Sequence, residues 1–535
     1  MYNSPMRENG GMFGLKLDRF AHSKPLQILI VAAESSPYAT VGGFSKVIEA
    51  LSTALMKLGH DVSVFVPKFG FIDEERYKMQ LVVEGLEVPT GIESNPFLTC
   101  NIKKHKLPNG VTTYFLENME YYEMRANVYG YSDDPTRWAL LSRGALEFLR
   151  NTDRSSDPET RELKPDVIHC NDWHTGILPN YLNTLYENDE SLSGIATLFT
   201  IHNLRFQGLF DPRNISELDF DDGKSPVAPF FSETLSKQNF MKRGIIYSDA
   251  VNTVSKTYAK EILTPEFGEG LDKLLMEVRS KLFGVLNGLD YDSFNPATDK
   301  LIEKNYDIYS LDSREENKTT VQKEFGISIQ EDKPLIGFVG RLDHQKGIDL
   351  IIEAMKYLIK EFDVQFVQVG GGDADIISQL KELKDLFPQS VGVHPLPNFT
   401  LPHLLFAGCD MIVYPSRFEP CGIVQMEAMR YGSIPIVRKV GGLADSVEDY
   451  DPKTGKGSGF VFTDFDLISF YGQLVRAVET YRHKGIWRSI QKNAMRRDFS
   501  WGWSAKEYAR LYNRAIEFKV RDLSYDEFNP QLGME

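Results

Sequence analysis

The sequence predicts an α/β protein made of two doubly wound parallel-sheet units, one after the other along the chain. Three observations carry this. Short continuous apolar runs of strand length alternate with longer amphipathic runs of helix length, the pattern of repeated βαβ units. The strand–glycine–helix opening at 26–60 starts afresh at 334–358, after a stretch rich in Gly, Asn, Asp and Pro. Polar residues gather at the C-terminal ends of successive strands, where an open parallel sheet binds its ligands.

Taken in order, residues 1–24 are polar and Gly-rich and read as a flexible extension. LQILIVAAES (26–35) is an uninterrupted apolar run, β-branched in its middle, and predicts a strand buried on both faces. It leads through PYATVGG into the helical pattern FSKVIEALSTALMKLGH and the next strand, DVSVFVPKFG. Further strands are predicted at TTYFLEN, DVIHCND and ATLFTIHN, between helices RWALLSRGALEFLR and ILPNYLNTLYEN. A helix, a strand and a helix occupy 239–275, and KLFGVLNGLDYDSFNPATD (281–299) reads as the end of the first unit and a hinge. A helix near 313–326, placed by cap and period signals, precedes the restart at PLIGFVGRLDHQKGIDLIIEAMKYL. VQFVQVGGGD and SVGVHPLP continue the second unit, and DFSWGWSAKEYARLYNRAIEF closes the chain as a helix with an aromatic face. The predicted division is 1–24 extension, 25–292 first unit, 293–503 second unit, and 504–535 closing helix with a polar tail after about 523.

At 535 residues there is chain enough for two to four domains of roughly 150 residues each. Sixty basic against 75 acidic residues give a net charge of −15, which argues against nucleic acid or an anionic membrane as partner. A phosphate ligand therefore needs a local basic cluster. The four cysteines, Cys100, Cys170, Cys409 and Cys421, form no C-x-x-C pair, so neither a disulfide framework nor a zinc site is indicated. The first 24 residues lack the apolar core of a signal peptide, and no apolar run reaches the roughly 18 residues of a membrane helix. A cytoplasmic protein is expected.

The stretch from Tyr414 to Val447 concentrates the functional signal. The strand DMIVYP turns at Pro415-Ser416, sets Glu419 in a short loop and enters a helical run, GIVQMEAMRYG. A second strand, SIPIVRKV, ends in a Gly-Gly turn that opens another helix. Glycine permits close backbone approach, and a helix N-terminus offers N–H groups to an anion, so a nucleotide diphosphate suits the arrangement. In the first unit HCNDWHTG (169–176) and TIHNLRFQG (200–208) place His169, His174 and His202 at two neighbouring strand ends, which marks a site. No Cys or carboxylate spacing supports reading these histidines as metal ligands, and no metal is expected.

SRFEPCG, AMRYGSIPIVR and VGGLADSV, together with HCNDWHTG, TIHNLRFQG, VNTVSKTYAKEILTPEFGEGL, GVLNGLDYDSFNPATD, GRLDHQKG and DFSW, resemble the glycogen/starch synthase family in the expected order over residues 26 to 515. The resemblance implies a GT-B fold, two Rossmann-like domains facing across a cleft, with the last helix crossing back onto the first domain. It implies a retaining glucosyltransferase that moves glucose from a nucleotide-glucose donor, ADP-glucose before UDP-glucose, to O4 of the non-reducing end of an α-1,4-glucan acceptor. By resemblance Arg341 and Lys346 neutralise the departing diphosphate, so no cofactor is expected, and Glu419 faces the glucosyl hydroxyls or balances charge on the sugar. The donor is expected against Thr40, Gly42, Gly43, Asn203, Cys421, Gly422, Glu427 and the loop Gly441-Gly442-Leu443. Donor sugar and acceptor are expected near Asp133, Asn171, Asp172, His174 and Gln207.

The chain departs from the family pattern at several of these positions. Thr40 stands where the family carries a donor-contacting lysine, and Lys46 where it carries an acidic residue. Glu427 replaces an uncharged or aromatic residue, and reads equally as a ribose-binding carboxylate or as a surface helix glutamate. Cys421, at the start of its helix, reads either as a low-pKa thiol or as a structural cysteine. Two other functions are open on this basis: a GT-B transferase with a different donor or acceptor, and a catalytically silent glucan-binding protein.

Overall fold

The computed structural model describes residues 24–209 and 221–528. All but the last residue of the expected N-terminal extension lies outside them. In the first lobe β1 (Gln27–Val31), β2 (Asp61–Pro67), β3 (Gln80–Pro89), β4 (Phe97–Lys106), β5 (Thr112–Glu117), β6 (Val167–Asn171), β7 (Ala196–Ile201), β8 (Ala250–Thr253) and β9 (Leu282–Gly284) lie in the order β3-β4-β5-β2-β1-β6-β7-β8-β9. From β5 to β9 each neighbouring pair is parallel. The expected purely parallel sheet is corrected at one edge, where β3 and β4 pair antiparallel with each other and with β5. Along β4 residues alternate between buried and more accessible, as on a sheet with one solvated face.

The second lobe adds β10 (Leu335–Val339), β11 (Gln365–Val369), β12 (Val391–His394), β13 (Met411–Tyr414), β14 (Ile434–Arg438) and β15 (Phe460–Phe462), all parallel, in the order β12-β11-β10-β13-β14-β15. The strand order reverses direction between β10 and β13 here, and between β1 and β6 in the first lobe. At such switch points neighbouring loops leave the sheet toward opposite faces and open a crevice.

Local sequence explains the elements that flank these crevices. The helix Gly43–Lys57 buries Val47, Ile48, Leu51, Ala54 and Leu55, one face at helical spacing, and ends before Gly59, whose φ of +91° suits only glycine. The helix Ile348–Phe362 follows a turn in which the Asp343 carboxylate accepts from the Lys346 N–H at 3.2 Å. One predicted helix is shorter than its pattern: the run 177–188 is helical only over Leu178–Leu182. Asn183 donates from its side chain to the Pro179 and Tyr247 carbonyls, drawing the backbone out of the helix.

The chain crosses between the lobes twice, side by side. Leu289 donates its N–H to the Phe499 carbonyl at 2.7 Å, and Gly288 lies so close that a Cβ would stand 2.6 Å from the Trp501 Cα. The last helix, Trp501–Phe528, then returns to the first lobe, burying Trp501, Ala505, Tyr508, Leu511, Tyr512 and Ala515 in its core. It therefore runs past 523, where the sequence predicts a polar tail. Tyr512 meets His169 Nδ1 through its hydroxyl at 3.0 Å, and Asn252 donates to the Tyr508 hydroxyl at 3.2 Å. Tyr512→Phe would leave a buried imidazole nitrogen unpaired and should lower unfolding free energy by about 1–3 kcal/mol in urea titration. An unchanged midpoint would show that this bond does not hold the crossover.

Candidate active site in the interlobe cleft

A cavity of about 1100 Å³ lies between the lobes, lined from the first lobe by the loop after β1, from the second by the loops after β10 and β13, and at its base by residues 287–294 and 500–502. Both switch points therefore open into the same space.

On the second-lobe side two loops are tied together. Lys346 donates through Nζ to Glu419 Oε2 at 2.5 Å, and the Ser416 hydroxyl donates to the same oxygen at 3.2 Å. Behind them the Arg417 N–H donates to the Gln345 carbonyl at 2.8 Å. Glu419 is buried, Lys346 half-buried, and both line the cavity. The Arg341 side chain also lines it but is 63% exposed, and among the described residues it pairs only with its neighbour Asp343, at 3.2 Å. One cation is thus anchored to a buried carboxylate, and the other stands exposed beside a half-buried one.

Cys421 is buried against Asn287 of the crossing segment, and burial pushes its thiol up to about 12. This selects the structural reading over the low-pKa one. Glu427 lines the cavity from the helix Val424–Arg430, half-buried, and its carboxylate has no hydrogen-bond partner among the described residues. Burial raises its pKa to about 7, with the Lys46 ammonium of the opposite lobe pulling the other way.

The first-lobe wall is the glycine loop. Gly42 and Gly43 have no atom within 4 Å of where a Cβ would stand, and neither has a left-handed φ. The fold does not demand glycine there; open space for a ligand is what the residues leave. Beneath them Glu34, 2% exposed, accepts from the Val41 N–H at 2.6 Å and from the Gly42 N–H. Burial raises the Glu34 pKa, and those N–H bonds counter it. The Thr40 hydroxyl is spent locally on Ser36 at 2.9 Å. Asn203 and His202 complete the wall, with His202 Nε2 at 3.0 Å from Asn171 Oδ1 and its ring edge-on to Phe44.

Several residues expected at the site do not line this cavity. Gly441, Gly442 and Leu443 are buried and do not line the cavity. The Gly441 N–H donates to both oxygens of Glu261 in the first lobe, at 3.0 and 3.1 Å, and the Gly442 N–H to the Glu419 carbonyl at 3.0 Å. Their glycines are structural, since a Cβ on Gly442 would lie 1.7 Å from the Cys421 carbonyl. Asp133, Asn171, Asp172, His174 and Gln207 also lie off the cavity wall. Asp133 pairs with Arg125 at 2.5 Å, and Gln207 donates to the Glu269 carbonyl and accepts from Asn239. His174 is stacked on Trp173 at 3.9 Å, and buried Asp172 accepts backbone N–H groups of His202 and Asn203, its carboxyl raised by burial to about 8. Asn171 and Asp172 thus support cavity residues from behind.

Two useful residues escape detection in the sequence. Glu34 has a signal, a carboxylate ending an apolar strand run, whereas Glu261 sits on an ordinary amphipathic helix. Among the described residues the carboxylates close enough to share a cation, Glu74, Glu117 and Glu123, lie outside the cavity and pair with Lys68 and Lys103.

The comparisons with known proteins agree with this geometry. The family described as starch synthase catalytic domain matches residues 27–277, and that described as glycosyl transferases group 1 matches 321–480. A glycogen synthase of Thermotoga petrophila is 38% identical over 497 residues, covering 92% of this chain and 99% of its own. One from Desulforamulus reducens is 39% identical over 491 residues, with the same coverage. The chain belongs to the glycogen/starch synthase family. The catalytic domain of starch synthase IV from Arabidopsis thaliana, solved with ADP and acarbose, superposes with a TM-score of 0.78 at 33% identity, over 92% of this chain and all of that one. A sucrose-phosphate synthase from Thermosynechococcus elongatus, 18% identical with a TM-score of 0.54, shares the fold. This synthase-family chain is accordingly a glycosyltransferase with the two-lobed GT-B architecture.

In this family member the strand-end histidines are held neutral. Burial, with the neighbouring His202, depresses His169 to about 3, and burial alone takes His202 to about 3. A depressed histidine is neutral in the fold while the unfolded chain takes up its proton below roughly 6.5, so its stabilisation is lost as pH falls from there. His169→Gln keeps a donor and an acceptor but not the titration. Relative to the parent it should gain about 1 kcal/mol per pH unit as pH falls from 6.5 toward 4. Parallel urea curves at all pH values would contradict this.

Proposed function

We propose that the protein is a retaining glucosyltransferase that elongates an α-1,4-glucan from a nucleotide-glucose donor, ADP-glucose. The observation that carries this is the convergence of Arg341, Lys346 and Glu419 at the second-lobe switch point, facing an open glycine loop across one cavity. When the bond from the anomeric carbon to the diphosphate breaks, negative charge develops on the leaving phosphate oxygen. Fixed cations beside that oxygen stabilise the transition state more than the ground state. Lys346, held by Glu419, is pre-positioned for this, and Arg341 can swing to meet the phosphate. The reading assigns charge neutralisation to this pair and calls for no resident metal or cofactor.

Glu419 is a poor candidate for a covalent nucleophile, because its Oε2 is already engaged by Lys346 and Ser416. Departure and attack on the same face of the sugar, with the acceptor O4 losing its proton toward the leaving phosphate, fits this constraint and retains configuration. Gly42 and Gly43 leave space for the donor, and Glu427 supplies a carboxylate for ribose hydroxyls. Support for ADP-glucose comes from the starch synthase IV structure, which holds ADP. A second reading, the same chemistry with UDP-glucose or another acceptor, is favoured by Thr40, Lys46 and Glu427, all on the cavity wall.

Arg341→Ala and Lys346→Ala should each lower kcat by about 100-fold or more, measured as glucose transferred to glycogen. Turnover near that of the parent in both variants would rule out the mechanism. Competition between ADP-glucose and UDP-glucose on glycogen separates the two donors, and transfer only to other acceptors would favour the second reading.

A further inference from the structure

The first lobe reaches the Lys346–Glu419 pair by a route that lies outside the cavity. Its helix Lys256–Glu261 presents two side chains to the helix Gly441–Ser446 of the second lobe. Both Glu261 carboxylate oxygens accept the Gly441 N–H, at 3.0 and 3.1 Å. One turn back, Thr257 donates its N–H and its hydroxyl to Asp445, at 3.0 and 2.6 Å. Thr257, Glu261 and Asp445 do not line the cavity. The Gly441-Gly442 turn that they hold is pressed onto the backbone of 419–421. A Cβ on Gly441, whose φ is +42°, would stand 1.9 Å from the Glu419 carbonyl oxygen, and one on Gly442 1.7 Å from that of Cys421. The Gly442 N–H closes the contact on the Glu419 carbonyl at 3.0 Å. The Glu419 carboxylate in turn takes Lys346 Nζ at 2.5 Å.

We propose that Glu261 is a positioning residue: from the first lobe it sets the Gly441-Gly442 turn, and through that turn the Glu419 backbone, so that Lys346 is placed for catalysis only while the lobes are held together. The proposal rests on the reading that Lys346 neutralises the leaving phosphate. The route from the turn to Glu419 is backbone against backbone, with no side-chain rotation between them to absorb a shift. Without the Glu261 carboxylate the Gly441 N–H loses its acceptor in a buried turn. A turn that moves to find another acceptor carries Glu419 with it, and a misplacement of roughly 1 Å at a charge-stabilising group is enough to lower turnover. The cavity wall keeps its residues in such a variant, and charge on the leaving oxygen grows only as the bond breaks. The loss therefore falls on the transition state more than on donor binding. Assembly of the cation site is in this way tied to contact between the lobes, so that an activated sugar meets a competent site only in the closed, drier cleft.

The test is steady-state glucose transfer to glycogen by the full chain, from the nucleotide-glucose that the parent uses. The proteins compared are the parent, Glu261→Ala, Glu261→Gln, Lys346→Ala, and Glu261→Ala combined with Lys346→Ala. Glu261→Ala should lower kcat about tenfold and leave the donor KM within about twofold. Glu261→Gln keeps one oxygen to accept the Gly441 N–H and should recover most of that loss. In the Lys346→Ala background, Glu261→Ala should change kcat by less than about twofold, because the side chain it acts through is gone. A parental kcat in Glu261→Ala, equal losses in the Ala and Gln variants, or a full further loss in the absence of Lys346 would each overturn the proposal. Parental turnover in Lys346→Ala would overturn the charge-neutralising reading and the proposal with it. If Glu261→Ala does not fold, Glu261→Asp, which draws the carboxylate back by one methylene, takes its place. A kcat loss in Glu261→Asp that vanishes in the Lys346→Ala background supports the proposal, and an unchanged kcat overturns it.

Discussion

The site depends on one charge-assisted bond, from Lys346 to Glu419. It joins the loop after β10 to the loop after β13, the two loops that diverge at the second-lobe switch point. Without a tie, a crevice of this kind would be lined by mobile side chains. With it, the carboxylate fixes the lysine, the lysine fixes the carboxylate, and Ser416 holds the shared oxygen from the buried side. The same glutamate reaches further through its backbone, since the Glu419 carbonyl receives the Gly442 N–H. Gly442 in turn is packed against Cys421 with no room for a side chain.

From that point the contacts pass to the other lobe. Gly441 is held by Glu261, and Thr257 donates its N–H and hydroxyl to Asp445, so the helix Lys256–Glu261 is fastened to the helix Gly441–Ser446. Beside them the chain crosses twice at Leu289 and Phe499. The interlobe contacts through Glu261, Thr257 and Leu289 thus gather on one side of the molecule, while Lys46 and Glu427 line the cavity from opposite lobes.

The electrostatics follow from concentration rather than total charge. A chain of net charge −15 places Arg341, Lys346 and Lys46 around one cavity. On its wall Glu419 is paired with Lys346, and burial raises the pKa of Glu427 there and of Glu34 behind the glycine loop.

Sequence alone determined the two sheets, the order of most of their elements, and the loops in which Arg341, Lys346, Glu419 and the Gly42-Gly43 turn lie. These are legible because parallel strands buried on both faces write continuous apolar runs, and because switch-point loops collect polar residues at their ends. The antiparallel edge of β3 and β4 was not legible, since half-exposed strands with alternating charged residues carry a weaker signal. Only the tertiary structure decided which glycine loop faces the cleft. Both carry Gly-Gly before a helix, but one opens onto the cleft, while in the other Glu261, 180 residues away in sequence, takes the Gly441 N–H. Likewise Asn171, Asp172 and His174 sit at a strand end as predicted, yet their side chains turn into the first lobe and brace the wall. Local pattern states that a polar group stands at the end of a strand; which partner satisfies it is decided by elements that meet only when the chain is folded.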